Sequence, residues 1–331
     1  MTRRVVSLGF VLVAAAFLSG AQTVTPPDAG PQQLRLTLAT GKRVQTLYES
    51  LVLSYTIANP TGAVIRSNAT MSYTSACLQI SITSGGKVVP FHTGPYAESI
   101  GTHETTHEAR AVMTGDVVIF FNNATEGLAF PRTGRYSINA KMCVGPPVEE
   151  PLMIESGPVE IEVQEPSWAD RKFIDALGSE AELVDLLRRG TGSFCMGKGR
   201  GECLDRLSVL VDTYPQSAYA PEIARSLAIT HAFQGRKSHS EYSIAIDQLT
   251  DFLQRWPNHP LSADVSYDLI VTLDEAGRSQ RAIDTMDRFE SDYPDRVHMI
   301  TQLHRKIRPV EPEPEPTPAL PDKSTQSDSD Q

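Results

Sequence analysis

The residues whose spacing could most directly do chemistry are two histidines and a glutamate. His103–His107 reads His-Glu-Thr-Thr-His, the pattern in which two histidines one helical turn apart hold zinc and the glutamate polarises a bound water. That chemistry needs a helix, because residues i and i+4 are neighbours there but lie about 13 Å apart along a strand. The threonines of the motif and the preceding Gly101 are poor helix formers. We therefore expect a polar loop without zinc and keep a zinc metallohydrolase as an alternative.

Other catalytic patterns are missing from the sequence. It contains no Gly-rich phosphate loop, no G-x-S-x-G nucleophile elbow and no suitable Cys-His pair. The remaining histidines are scattered and are each more typical of surface or packing positions than of ligands. We predict a non-enzymatic protein with no catalytic residue, no cofactor and no metal site.

The chain has four cysteines, an even number that can pair in an oxidising compartment. Their positions favour one bridge in each half of the chain, Cys77 with Cys143 and Cys195 with Cys203. Cys77 opens a predicted strand and Cys143 closes another, so antiparallel neighbours would bring them together at one end. For Cys203, a buried free thiol is the alternative. No C-x-x-C spacing is present, so zinc ribbons and thioredoxin-like redox sites have no support.

The first residues resemble an export signal. Arg3 and Arg4 precede an apolar run from Val5 to Leu18, and Ser19–Ala21 supplies the small residues of a cleavage site. An uncleaved anchor is the alternative, but this run is shorter than the roughly 20 residues of a span. We predict a signal peptide over 1–21, a linker over 22–32 and a periplasmic or secreted product that does not span a membrane. The residue after the predicted cut is Gln22, so a lipoprotein cysteine is missing.

The charge of the chain excludes one class of partner. Its formal net charge is -10, which makes nucleic acid unsuitable as a ligand. Much of this charge lies in residues 309–331, which contain six acids and one lysine. Glu and Pro alternate from Glu311 to Pro316, a composition that cannot build a core. We predict a disordered acidic, proline-rich tail.

Residues 33–165 alternate apolar and polar positions, as half-buried strands do. Turn residues such as Asn59–Gly62 and Ser84–Gly86 separate seven to nine short segments of this kind. Phe130–Ala140 and Glu49–Leu53 resemble segments of bacterial immunoglobulin-like domains. That resemblance implies an antiparallel β-sandwich, although the tryptophan typical of antibody domains is missing from this region.

From residue 166 to 308 the apolar period changes to that of helices, and one pattern occurs three times. Each copy has a small residue, three apolar positions and an aromatic-proline pair; the copies begin at Cys203, Ala245 and Ala282. The prolines that end them are 42 and 37 residues apart. This pattern resembles tetratricopeptide repeats of the envelope-assembly subgroup. The predicted fold class is thus multidomain β + α, a sandwich followed by an array of helical hairpins.

The repeat resemblance implies a concave groove that binds a protein or an extended or helical peptide, and the acids predicted to lie in this groove favour a basic partner. Aligning the copies predicts six partner-binding residues on the first helices of two hairpins: Glu222, Arg225, Ser226, Asp264, Tyr267 and Asp268. We therefore expect an exported scaffold or adaptor that holds protein partners in the cell envelope. The alternative is a protease inhibitor or adhesin-like surface protein that acts through loops such as His92–Arg110.

Overall fold

The structure is a computed structural model that describes residues 33–67, 78–89, 105–119, 130–143 and 153–307. Six sequence predictions lie wholly or partly outside these ranges: the signal peptide, the linker, Cys77, His103, the loop His92–Arg110 and the acidic tail. The described strands end at Gln164 and the first helix begins at Trp168.

A three-stranded antiparallel sheet has the order β1-β3-β8. Its strands are β1 (Arg35–Ala39), β3 (Leu51–Ala58) and β8 (Val112–Ile119). In β3 the buried positions alternate with partly buried ones, since successive side chains of a strand point to opposite faces. Leu51, Leu53 and Ile57 are fully buried on the inner face, and Val52 on the outer face packs against helices.

A six-stranded sheet contains the order β2-β11-β9-β5-β6, and β10 pairs with β9. Its strands are β2 (Val44–Thr46), β5 (Leu78–Ser84), β6 (Lys87–Val88), β9 (Gly134–Cys143), β10 (Met153–Glu155) and β11 (Val159–Gln164). Two further short strands, β4 (Ile65–Ser67) and β7 (Thr105–His107), form a separate antiparallel pair. Leu36, Leu53, Ile138 and Ile161 belong to one apolar core shared by the two larger sheets.

The predicted antiparallel immunoglobulin-like sandwich is wrong, and with it the predicted fold class. β2 runs parallel to β11, with Glu162 opposite Val44, so the larger sheet is mixed. Apolar alternation predicts that a segment is a strand but carries no information on the direction of its neighbour. β2 is also only three residues long, too short for its own period to show. The fold is a mixed α/β arrangement in which this strand region precedes a helical C-terminal region.

Eight α-helices follow the strands within the described chain, and α7 and α8 are separated by a 3₁₀ segment at Pro294–Ile300. They are α1 (Trp168–Leu177), α2 (Glu180–Phe194), α3 (Arg200–Thr213), α4 (Ala220–Gly235), α5 (His239–Arg255), α6 (Ser262–Glu275), α7 (Ser279–Asp292) and α8 (Thr301–Ile307). α2 is kinked at Gly190, whose φ of 67° lies in the left-handed region that glycine adopts without strain.

The three sequence copies share one helix ending. α3, α5 and α7 each end at an aromatic residue, Tyr214, Trp256 or Tyr293, whose N–H donates to the carbonyl four residues earlier. The backbone angles of these three caps agree closely, with φ between -125° and -131°. Proline follows each cap and cannot continue the helix, because its ring would clash with the carbonyl four residues earlier and it has no N–H to donate.

The predicted bridge between Cys195 and Cys203 is confirmed, with the two Cα atoms 5.5 Å apart. It fastens the end of α2 to the first turns of α3 across the glycines at 197, 199 and 201. For the other pair, the described register places Leu78 opposite Met142 and stops before Cys77, so that bridge stays a prediction.

Thiol counting tests both bridges. We expect the protein to have no free thiol when it is unfolded without reductant, because an oxidising compartment would close both pairs. Alkylation followed by mass spectrometry gives the count, and a reduced sample is the control. Two labelled cysteines, at 77 and 143, would show that only the helical bridge forms.

Candidate functional site

Most of the predicted groove residues already have partners inside the chain. The guanidinium Nε of Arg225 on α4 donates to Oδ2 of Asp268 on α6 at 2.8 Å. Burial alone would lower the pKa of Arg225, but Asp268 and Asp264 outweigh it and raise that pKa above its usual value. This ion pair holds α4 against α6, so neither charge is free to receive a ligand without breaking a contact between helices.

Ser226 joins α4 to the kinked helix α2. Its Oγ accepts the N–H of Thr191 at 3.0 Å, and its carbonyl accepts the Thr191 hydroxyl at 2.9 Å. Thr191 follows Gly190, whose non-helical backbone leaves an N–H without a helical acceptor. Ser226 therefore satisfies the backbone at the kink.

The two remaining residues of α6 in the predicted groove are largely covered. Tyr267 packs, partly buried, against the apolar cluster of α5, α6 and α7. Desolvation raises the pKa of Asp264, and Arg225 opposes this effect. Oδ2 of Asp264 is buried without a hydrogen-bond partner among the described residues.

The sixth residue, Glu222, faces the strand region. Desolvation raises its pKa to about 7, and the negative charge of Glu49 adds to this, while Ser50 and Arg225 oppose it. Glu49 is held by Lys42 at 2.5 Å and by the N–H of Thr46 at 2.8 Å. The start of α4 is thus docked on the turn between β2 and β3.

The same junction contains a tyrosine, a histidine and a small cavity. The hydroxyl of Tyr219, a fully buried residue, donates to the Leu47 carbonyl at 2.8 Å. Burial, together with the smaller effect of the Lys42 charge, lowers the pKa of His259 to about 4. His259 and Glu222 line a cavity of about 20 Å³, which has room for a single water. This volume is too small for an organic substrate.

Beyond this junction the stripe along α4 is open. It continues from Ser226 to Ile229 and Phe233, which are 42% and 60% exposed. The i, i+3 and i+4 spacing places these residues on the same face as Glu222 and Arg225. The alignment of the three copies did not predict Ile229 and Phe233 as binding residues, because it selected positions only from the start of each helix. The sequence does contain a sign of them, since large apolar residues continue the same spacing along α4.

Basic side chains surround this exposed face. Arg236 lies over the Phe233 ring, 5.6 Å from its centre, and also donates to Glu275 on α6 at 2.8 Å. An open cleft of about 200 Å³ beside Phe233 is lined by Arg200, Lys237 and one acid, Glu241, which is paired with His231. Within the described residues, neither of these two cations has an acidic partner. We call Ile229, Phe233, Arg200, Arg236 and Lys237 the Phe233 patch.

The candidate zinc motif lies in part on a strand. Thr105–His107 form β7, and His107 is opposite Ile65 of β4. His107 is 4% exposed, and burial lowers its pKa. Among the residues that the structure describes, no three His, Cys, Asp or Glu side chains are grouped as a metal ion would require. The three described residues of the motif, Thr105–His107, are extended, whereas the zinc-hydrolase motif requires a helix.

None of the helices in the described part of the chain combines the length and apolar character that a bilayer span requires.

Comparison with known proteins assigns no family to the chain. No family model and no curated protein matches it. Among solved structures, it is similar to a crystal structure of β-glucosidase from Listeria innocua in complex with glucose, at 14% identity and a TM-score of 0.22. The match covers 39% of this chain and 16% of the glucosidase. A TM-score this low supports no argument about fold or activity.

Proposed function

We propose that this chain is an exported, non-enzymatic adaptor that holds an extended segment of a protein partner on the open half of the α4 stripe. The observation that carries the proposal is the Phe233 patch, in which an aromatic ring and an isoleucine are exposed on a helix whose other half is covered. Exposed apolar side chains that adjoin one another, with charged groups around them, are typical of interaction sites. Aromatic and arginine side chains supply most of the binding energy at such sites.

The charge of the patch changes the expected partner. Asp264 and Asp268 were expected to attract a basic peptide, but both lie beside Arg225 and offset its charge. Arg200 and Lys237, in contrast, are exposed and have no acidic partner in the described chain. The surface therefore favours a segment that is acidic and carries apolar or proline residues.

A display experiment tests this function. A library of random peptides about twelve residues long, a length that spans one helix face when extended, is selected against the full chain. We expect enrichment of acidic peptides rich in proline or aromatic residues. Phe233→Glu should weaken their binding at least tenfold, because truncating or charging an anchor costs about 2 kcal/mol or more. Melting temperature should change little, since Phe233 is 60% exposed.

Val209→Glu is the matched control, because Val209 is 65% exposed on another helix, α3. It should leave peptide binding unchanged. Enrichment of peptides that bind Phe233→Glu and the unaltered chain equally well would rule out the patch as the adaptor surface.

A further inference from the structure

The Phe233 patch lies close to the place where the described chain ends. Lys306, in the last turn of α8, donates to Oδ2 of Asp274 at 2.5 Å. Asp274 adjoins Glu275, which accepts from Arg236, and Arg236 lies over Phe233. Two ion pairs and one peptide unit therefore connect the end of α8 with the patch.

The sequence that follows α8 is complementary to the patch in charge. Residues 311–316 read Glu-Pro-Glu-Pro-Glu-Pro. Each proline fixes its φ near the value of polyproline II, an extended form that exposes every side chain and loses little entropy on binding. Proline-rich segments of this kind dock on exposed aromatic rings. The intervening glutamates would meet the cations around Phe233, and a carboxylate can accept two hydrogen bonds from one guanidinium.

The length of the connection fits as well. Four residues lead from Ile307 to Glu311 and reach at most about 14 Å. The six residues of the repeat add about 19 Å at 3.1 Å per residue. The two ion pairs from Lys306 to Arg236 bridge on the order of 20 Å, so the linker and the first two or three residues of the repeat cross this distance and the rest of the repeat can lie on the patch.

We propose that the Glu-Pro segment 311–316 docks on the Phe233 patch of its own chain and competes there with the protein partner. This inference rests on the proposed function for the use of that surface, and it adds the regulation: a partner must displace the tail. A tethered segment has a high effective concentration at its site, of the order of millimolar, so weak contacts suffice to occupy it.

Photocrosslinking in the full chain tests the docking. Phe233 is replaced by the photoreactive p-benzoylphenylalanine, which keeps an aromatic ring at the position, and adducts are mapped by mass spectrometry. We expect adducts within residues 309–331. The triple variant Glu311→Gln, Glu313→Gln, Glu315→Gln should lower their yield several-fold, and so should about 0.5 M salt, because exposed charges are screened there.

Two controls decide between occupants. The same photoreactive residue at Val209 should give no tail adducts, and equal yields at both positions would overturn the proposal. The second control uses a mixture of isotopically heavy and light chains. Adducts that join a heavy chain to a light one would show that the tail of a second copy occupies the patch, and this result would overturn docking within one chain.

The display experiment separates this inference from the proposed function. Peptides that bind through Phe233 while the tail gives no adducts would overturn tail docking and leave the adaptor function standing. Tail adducts without any Phe233-dependent peptide would overturn the adaptor function and, with it, the competition. If both hold, the triple glutamine variant should bind the selected peptides several-fold more tightly than the unaltered chain.

Discussion

Replacing Asp170 by alanine is expected to lower the free energy of unfolding by about 3 kcal/mol, because several donors would lose a charged acceptor together. Asp170 is 2% exposed. Its carboxylate accepts the N–H of Ser167 at 2.9 Å, the hydroxyl of Ser217 at 2.9 Å and the N–H of Ala218 at 2.7 Å. One side chain thus closes the capping box of α1 and fixes the turn that leads into α4.

Thermal unfolding measures this effect. A loss of about 3 kcal/mol should lower the melting temperature by roughly 6 to 12 °C for a protein of this size. The melting temperature of Asp170→Asn should lie between those of the unaltered chain and Asp170→Ala, since the amide keeps one acceptor oxygen. Asp175→Ala, an exposed position on the same helix, is the control and should stay within about 0.5 kcal/mol. A melting temperature of Asp170→Ala equal to that of the control would contradict the role of this carboxylate.

The helices could be predicted from the sequence more fully than the pairing of the strands. A helix depends on contacts between residues near in sequence, so its apolar stripe and the aromatic-proline endings at Tyr214, Trp256 and Tyr293 can be recognised in the sequence itself. The direction of a strand relative to a distant neighbour depends on tertiary packing. Val44 and Glu162 are far apart in sequence, and nothing near either of them encodes a parallel pair.

The candidate site shows the same limit. The repeat alignment assigned Glu222, Arg225 and Ser226 to one face of a helix, and their i, i+3 and i+4 spacing in α4 places them in one stripe. It could not show that the strand region covers the start of this stripe, because that contact is made by Tyr219 and Leu47, residues far apart in the chain. The spacing of Ile229 and Phe233 places them on the same stripe. Only the structure shows that they are exposed while the strand region covers the start of the stripe.

Replacing Glu222 by glutamine is expected to change how stability depends on pH. The pKa of this carboxyl is raised to about 7 in the folded chain from an ordinary value of 4.5, chiefly by desolvation at the junction with the strands. A raised pKa means that the folded state binds the proton more tightly than the unfolded state. The resulting stability is fully present below about pH 4.5 and is lost as pH rises to about 7.

Glutamine mimics the protonated acid and cannot ionise. Glu222→Gln should therefore match the unaltered chain near pH 4.5 and exceed it above pH 7, with the difference growing between these values. One pKa unit corresponds to about 1.4 kcal/mol, and partial solvent access at the junction reduces the full shift to about 1 to 2 kcal/mol. The melting temperature of the variant should then be roughly 3 to 6 °C higher at pH 8.

The neighbouring histidine requires a comparison between variants at each pH. The pKa of His259 is lowered to about 4, so its contribution to stability is lost as pH falls from 6.5 toward 4. This trend opposes that of Glu222 in the window they share. Both chains contain His259, Lys42, Glu49 and Arg225, so these contributions largely cancel in the difference between the two melting curves. The exposed Glu160→Gln is the control and should shift melting equally little at all pH values. A Glu222→Gln difference that is constant from pH 4.5 to 8 would show that this carboxyl ionises normally and is not desolvated by the strands.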